Sequence, residues 1–83
     1  MDKETAIKEA KKVAKEDYDN LMIEHGCHDP NYVRPWRKQV TDNGEAYALD
    51  GTPDKAFVLV YPKFNKVLAT RPDGSVIKSF IID

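Results

Sequence analysis

Cysteine is nearly absent from this sequence: Cys27 is the single one, so an internal disulfide bond is excluded. Long apolar runs are absent too, since no stretch approaches the roughly 18–20 apolar residues of a membrane-spanning helix. The first residues also lack the basic and then apolar order of a signal peptide. We therefore expect a cytoplasmic protein that has no membrane partner.

The sequence lacks an excess of either charge, with 13 basic and 14 acidic side chains and a net charge of −1. Such a chain has no overall field that attracts nucleic acid or a membrane, so any electrostatic partner must contact a local patch. Neither a glycine-rich phosphate-binding loop nor a calcium-binding loop is present, and no two carboxylates have the spacing of a general acid and base. We predict a protein that is not an enzyme and needs no cofactor.

The length of 83 residues indicates a single domain that spans residues 1–83. Its content of 41% hydrophobic and 33% charged residues is typical of a soluble globular protein. A chain of this size buries about 60% of the surface of its unfolded state, so a deep, enclosed active site is not expected.

The N-terminal apolar residues recur at intervals of three and four positions, which is the pattern of an amphipathic helix. We place this helix at residues 3–24, with Asp2 or Thr5 capping its first amide groups. The apolar stripe consists of Ile7, Ala10, Ala14, Tyr18 and Leu21, with Ala6, Val13 and Met22 at its margins.

The C-terminal part contains three short runs rich in β-branched and aromatic residues, a pattern that predicts an antiparallel meander. In the second connection Pro72 presets φ, Asp73 accepts a hydrogen bond from the nearby backbone, and Gly74 tolerates a positive φ, so a tight turn is expected. The predicted strands cover residues 56–61, 67–70 and 76–82.

A second hairpin is predicted upstream, with strands at 36–41 and 45–50 around a turn at 42–44. The whole chain then belongs to the α+β class, with one N-terminal helix packed on a four- to five-stranded antiparallel sheet. This assignment makes the strand at 56–61 central and at least partly covered on both faces.

Alternation along that central strand predicts which side chains share a face. Phe57, Leu59 and Tyr61 should point to one side of the sheet, and Val58 and Val60 to the other. Because one helix covers only one face, the second face is a candidate contact surface.

Potential metal ligands cluster where the helix ends, at His25, Cys27 and His28, with Glu24 and Asp29 beside them. Imidazole and thiolate ligands suit zinc, but the chain has no further histidine or cysteine to complete a four-ligand site. The alternative is that His25 interacts with the helix C-terminus and Cys27 packs as a small apolar residue. We predict that the protein needs no metal.

Aromatic and cationic residues alternate in a predicted loop between the helix and the first hairpin. This mixture is typical of a protein-binding hot spot, and it also suits single-stranded nucleic acid. A third interpretation is structural, with Trp36 and Tyr32 packing between helix and sheet while the cations remain solvated. The candidate partner-binding residues are Tyr32, Arg34, Trp36, Arg37 and Lys38.

The order of helix, tryptophan-bearing strand and the runs at 55–60 and 65–68 resembles small cystatin-like α+β immunity proteins of bacterial toxin systems. This resemblance implies a small intracellular protein-binding module that acts as an inhibitor or adaptor, such as an immunity protein or a phage-encoded inhibitor. The alternative is a nucleic-acid-binding or metal-binding protein that uses the loop 24–38. A second copy of the chain is a further candidate partner, as in a homodimer.

Overall fold

A computed structural model describes residues 1–24, 26, 35–49 and 57–83 of the chain. These residues form one α-helix, five β-strands and a single turn of 3₁₀-helix, Pro62–Phe64. The elements are α1 (Lys3–Glu24), β1 (Trp36–Thr41), β2 (Gly44–Leu49), β3 (Val58–Tyr61), β4 (Lys66–Thr70) and β5 (Val76–Ile81).

The five strands form one antiparallel sheet in the order β1-β2-β3-β4-β5. Each strand pairs with its neighbour in sequence, so the sheet is a simple meander, and α1 packs on one of its faces. The predicted α+β class and architecture are confirmed. Because β1 and β5 are the edges, β3 is the central strand.

Helix α1 begins at the predicted residue and approaches the sheet closely. The carboxylate of Asp2 accepts a 2.7 Å hydrogen bond from the amide of Thr5, which confirms Asp2 as the N-cap. Ala6, Ala10 and Ala14 lie one turn apart and are at most 1% exposed, so small side chains form the line of contact. No helix within the described part of the chain is both long and apolar enough to cross a membrane.

The core lies between α1 and the sheet. The buried side chains alternate along β3 and from Val67 to Ala69 of β4, which gives one apolar face beneath the helix. Tyr18 of α1 and Trp36 of β1 add edge-on ring contacts to Phe57, with centroids 5.2 and 6.3 Å apart. The fully buried sheet-side residues are Leu49, Phe57, Val58, Val60, Val67 and Ala69, with Phe80 at 8% exposure.

Phe57 corrects the predicted alternation. Its ring contacts Tyr18 and Trp36 on the helix side, whereas Leu59 and Tyr61 alternate to the opposite side. The reason is that β3 begins only at Val58, and the chain bends at Phe57, so the two-residue period does not extend to it.

The turns follow the predicted chemistry with one shift of boundary. In the last hairpin the amide of Gly74 donates to the carbonyl of Arg71, and the amide of Ser75 donates to the Asp73 carboxylate, at 2.9 and 2.8 Å. In the first hairpin, Gly44 is the first residue of β2 and pairs with Thr41, so the predicted turn at 42–44 contains two residues rather than three.

Candidate protein-contact surface

The side of the sheet opposite α1 carries no α-helix of the described residues, and we call it the open face. Side chains directly opposed in antiparallel strands point to the same side, and successive residues alternate. Val58 and Val60 pack beneath α1, so Leu59 and Tyr61 belong to the open face. The strand register adds Arg37, Gln39, Ala46, Ala48, Lys66, Leu68, Ser79 and Ile81.

The centre of the open face is apolar. Leu59 and Leu68 are direct partners on β3 and β4, and each is partly exposed. Ala46 lies beside Leu59 on β2 and is almost buried, with 8% of its surface exposed. Polar side chains end the row on the two edge strands, with Gln39 opposite Ala46 and Ser79 opposite Leu68.

Large apolar side chains extend the open face toward the 3₁₀ turn. Ile81 is directly opposed to Lys66, which is in turn opposed to Tyr61. The ring of Phe64 packs edge-on against Tyr61 with centroids 6.5 Å apart. Phe64 and Ile81 are nevertheless 68% and 60% exposed, so this end presents apolar surface to solvent. Exposed apolar patches of this kind are typical of interaction sites.

The charged residues at the described strand positions of the open face have one sign. Among the strand residues that the structure describes, Arg37 and Lys66 are the charged side chains that point to this side, and both are exposed. No carboxylate occupies a described strand position on the open face. The described strand positions of the open face thus have an apolar centre, with one cationic side chain on β1 and one on β4.

On the helix side, four polar residues form a cluster at the β1–β2 end of the sheet, which we call the Glu45 cluster. The Lys3 Nζ lies 3.2 Å and the Lys38 Nζ 3.6 Å from the Glu45 carboxylate. The Tyr47 hydroxyl donates a 3.1 Å hydrogen bond to the second carboxylate oxygen. The cluster thus joins α1, β1 and β2 through a single carboxylate.

The electrostatics of the Glu45 cluster do not favour acid–base catalysis. Partial desolvation raises the pKa of Glu45, but hydrogen bonds from Lys3 and Tyr47 and the charges of Lys3 and Lys38 bring it below its ordinary value. Desolvation and the bonded carboxylate raise the pKa of Tyr47. Glu45 is therefore a weak base, and Tyr47 keeps its proton at neutral pH.

The structure places three of the predicted partner-binding residues, Trp36, Arg37 and Lys38, on β1, which has its predicted bounds. Trp36 is partly buried against Phe57, while Lys11 of α1 lies 5.6 Å from the Trp36 ring centroid. Arg37 points to the open face and Lys38 belongs to the Glu45 cluster, so alternation along β1 separates the two cations. Trp36 therefore has the contacts expected if its ring packs between the helix and the sheet.

The other predicted site residues lie outside the described residues. These are the partner-binding candidates Tyr32 and Arg34, and the metal-ligand candidates His25, Cys27 and His28. Within the described ranges, no group of three or more His, Cys, Asp or Glu side chains is placed to hold a metal ion.

The sequence predicts a second face that the helix leaves uncovered, but it does not indicate which residues form it. Alternation along β3 did indicate that Leu59 and Tyr61 share a side. It did not connect them with Lys66, Leu68 and Ile81, because that connection depends on the register between strands. The strand pattern alone offered no signal for that register beyond the length of the turns.

Comparisons with known proteins give no identification. The chain matches no protein-family model, no curated protein and no solved structure. The resemblance to cystatin-like immunity proteins therefore stays a prediction from the order of elements. Function has to be inferred from the chemistry of the open face, β1 and the Glu45 cluster.

Proposed function

We propose that this protein is a small protein-binding module that acts as an inhibitor or adaptor and has no catalytic activity of its own. The observation that carries the proposal is the open face, with Leu59 and Leu68 at its centre and exposed Phe64 and Ile81 at one end. Protein interfaces typically have an apolar centre with a polar rim, and this arrangement matches that description.

The sheet architecture supports the same proposal. A β-sheet is stable when its apolar faces are covered, and α1 covers one of the two faces. A partner that binds the open face would remove the exposed apolar surface from water, which is the main source of affinity in protein association. Inhibition and adaptor function both require such a surface and no chemistry.

The absence of catalysis is part of the proposal, and the environment of Glu45 supports it. Glu45 accepts hydrogen bonds from Lys3 and Tyr47, forms an ion pair with Lys38 and has a lowered pKa, which suits a structural ion pair better than a base. Its role in this proposal is to hold β1 and β2 against α1.

Capture from an extract of the encoding organism tests the proposal. The immobilised protein should retain a specific partner, identified by mass spectrometry, and titration calorimetry with the purified partner then gives Kd. The variant Phe64→Ala/Ile81→Ala should raise Kd by about tenfold or more, because exposed apolar anchors contribute strongly to interfaces.

The matched control is Val40→Ala, which removes a side chain that is 78% exposed and lies on the helix side of β1. It should leave Kd unchanged while the double variant weakens binding. If no protein is retained by the wild type, or if Val40→Ala is as harmful as the double variant, the proposal is wrong. Retention of nucleic acid instead of protein would favour the alternative function.

A further inference from the structure

We infer that two copies of the chain pair through β1 as a two-fold dimer, so that their sheets join into one continuous antiparallel sheet. The outer edge of β1 carries this inference independently of the proposed function, which uses the open face. Its basis is the segment 38–42, whose side chains and backbone groups match those of the same segment running in the opposite direction.

The outer edge of β1 is exposed, and none of the described strands pairs with it. In the sheet order β1 comes first, with β2 on its inner side. Each residue from 38 to 42 is exposed, and Val40 is 78% exposed although it is apolar. An edge strand of this kind presents backbone donors and acceptors to which a further strand can be added.

The backbone groups of Lys38 and Val40 point toward this outer edge. The amide of Phe57 donates a 2.8 Å hydrogen bond to the carbonyl of Tyr47, so the backbone groups of Tyr47 point toward β3 and away from β1. Lys38 is the direct partner of Tyr47, and in an antiparallel pair the residues that exchange hydrogen bonds alternate with those that do not. The N–H and C=O groups of Lys38 therefore point away from β2, and those of Val40, two residues later, do the same.

One register of the two-fold pair matches side chains as well as backbone groups. When Val40 lies opposite Val40 of the second copy, Gln39 lies opposite Thr41, and Lys38 lies opposite Asp42. The two-fold axis produces each of the unlike pairs twice, so the dimer has two lysine–aspartate pairs around one valine pair. Opposite charges and β-branched residues are favourable partners when they are directly opposed in neighbouring strands.

The charges distinguish this register from its neighbours. Moving the axis from Val40 to Gln39 places Lys38 opposite valine, and moving it further places Lys38 opposite Lys38. A lysine on an edge strand normally opposes pairing, but in the Val40 register it meets a carboxylate. The Lys38 Nζ lies 3.6 Å from the Glu45 carboxylate, yet the Lys38 side chain is 53% exposed and thus accessible to a second carboxylate.

The joined sheet also has room for both helices. Directly opposed residues point to the same side of a sheet, so both α1 helices lie on one side of the joined sheet and both open faces on the other. Within each copy α1 packs mainly over β3, β4 and β5, away from the edge that is joined. Pairing through β1 therefore leaves both open faces uncovered, side by side.

Sedimentation equilibrium of the purified protein measures the self-association. The wild type should form a dimer, and Val40→Glu should raise the Kd of the dimer about tenfold or more, because it places two carboxylates opposite each other at the axis. The matched control is Val76→Glu, which changes a valine of the other edge strand, β5, that is 56% exposed. This control should dimerise as the wild type does.

Two outcomes of this measurement would overturn the inference. The first is a wild type that stays monomeric at about 1 mM. The second is a Val76→Glu variant that associates as weakly as Val40→Glu, since the two different edges would then pair head to tail. A monomeric protein that still captures a partner protein would overturn this inference and leave the proposed function intact.

Charge exchange tests the register. Lys38→Asp places two carboxylates opposite each other and Asp42→Lys two ammonium groups, so each variant alone should be largely monomeric. A mixture of the two should form a heterodimer, because every aspartate then lies opposite a lysine. If the two folded variants do not associate when mixed, or if each alone dimerises as the wild type does, the inference is wrong.

Thermal unfolding of each variant provides the folding control. It is needed for Lys38→Asp, which brings a second carboxylate close to Glu45. Asp42→Lys and Val40→Glu leave Lys38 unchanged, so these two variants test the inference even if Lys38→Asp does not fold. Dimers of wild-type strength in both of them would overturn it.

Discussion

The guanidinium group of Arg71 donates two hydrogen bonds of 2.9 Å to the two carboxylate oxygens of Asp17. This pair joins the middle of α1 to the turn that connects β4 and β5, residues 54 positions apart in the sequence. The hydrogen bonds and the charge of Asp17 raise the pKa of Arg71. Two parallel bonds also define the orientation of the pair more strictly than a single contact does.

The Asp17–Arg71 pair should contribute a modest coupling free energy. Its side chains are 21% and 47% exposed, so water screens the interaction and the coupling should be small. A double-mutant cycle with Asp17→Asn and Arg71→Gln, followed by denaturant unfolding, measures this value. The coupling should shrink at high salt. A coupling of zero at low salt would show that the pair does not hold α1 to the turn.

Two neighbouring residues of β3 test which face is buried. Val60 is 0% exposed beneath α1, and its truncation to alanine should cost about 2–3 kcal/mol of unfolding free energy. Leu59 is partly exposed on the open face, so Leu59→Ala should cost only about 1 kcal/mol although it removes more atoms. Chemical denaturation of both variants gives the comparison. The reverse order of the two losses would contradict the assignment of the faces.

Gly44 should tolerate no side chain, because the backbone of β3 lies against it. A Cβ atom there would overlap the carbonyl oxygen of Val60 and lie 2.7 Å from Cδ of Pro62, and φ is +149°. Gly74 also has a positive φ, +92°, but has no atom near the position of a Cβ. Gly44→Ala should therefore cost about 3 kcal/mol or more, and the control Gly74→Ala about 1–2 kcal/mol. Similar melting temperatures for the two variants would argue against this close approach.

Trp36 and Arg37 are both predicted partner-binding residues, but their replacement by alanine should affect the stability of the fold to different extents. Trp36→Ala removes the ring contact with Phe57 and the contact with Lys11, and it should lower the unfolding free energy by about 2 kcal/mol. Arg37→Ala changes an exposed side chain and should alter stability by no more than about 0.5 kcal/mol. Thermal unfolding is the measurement. A Trp36→Ala variant of unchanged stability would return Trp36 to the role of a contact residue.

Glu45 should make the protein less stable in acid. Because its pKa is lower in the folded state, the stabilisation is fully present above the ordinary value of 4.5 and is lost as the pH falls through the folded pKa. Unfolding free energies measured from pH 7 to pH 2 should fall less steeply in Glu45→Gln. Lys3→Met removes one hydrogen-bond donor to Glu45, so it should also make this fall less steep, but by a smaller amount. If the unfolding free energy of Glu45→Gln falls with decreasing pH as steeply as that of the wild type, the lowered pKa of Glu45 does not contribute to the loss of stability in acid.

Local periodicity was sufficient to predict most of the secondary structure. The three- and four-residue spacing of apolar side chains located α1 at residues 3–24, and β1 has the predicted bounds. Asp73 and Gly74 predicted the last hairpin because their preferences act on their own backbone. These features depend on interactions between residues a few positions apart, which the sequence displays directly.

The candidate site was predicted only in part. Residues 27–34, which include Tyr32 and Arg34, lie outside the described residues, and Trp36 turned out to pack against Phe57. An aromatic residue beside cations has the same local pattern whether its ring is in a core or at an interface. Burial distinguishes the two, and burial depends on the elements that pack over the residue.

The sequence by itself determined the elements, their order and the turn chemistry, because these depend on short-range preferences and on the periods of helix and strand. Only the tertiary structure decided that Lys66, Leu68 and Ile81 join Leu59 on one surface, and that Lys3, Lys38 and Tyr47 converge on Glu45. The physical reason is that strand register and helix packing bring together residues that are distant in sequence. A shift of register by one residue would move the strand side chains among them to the other face.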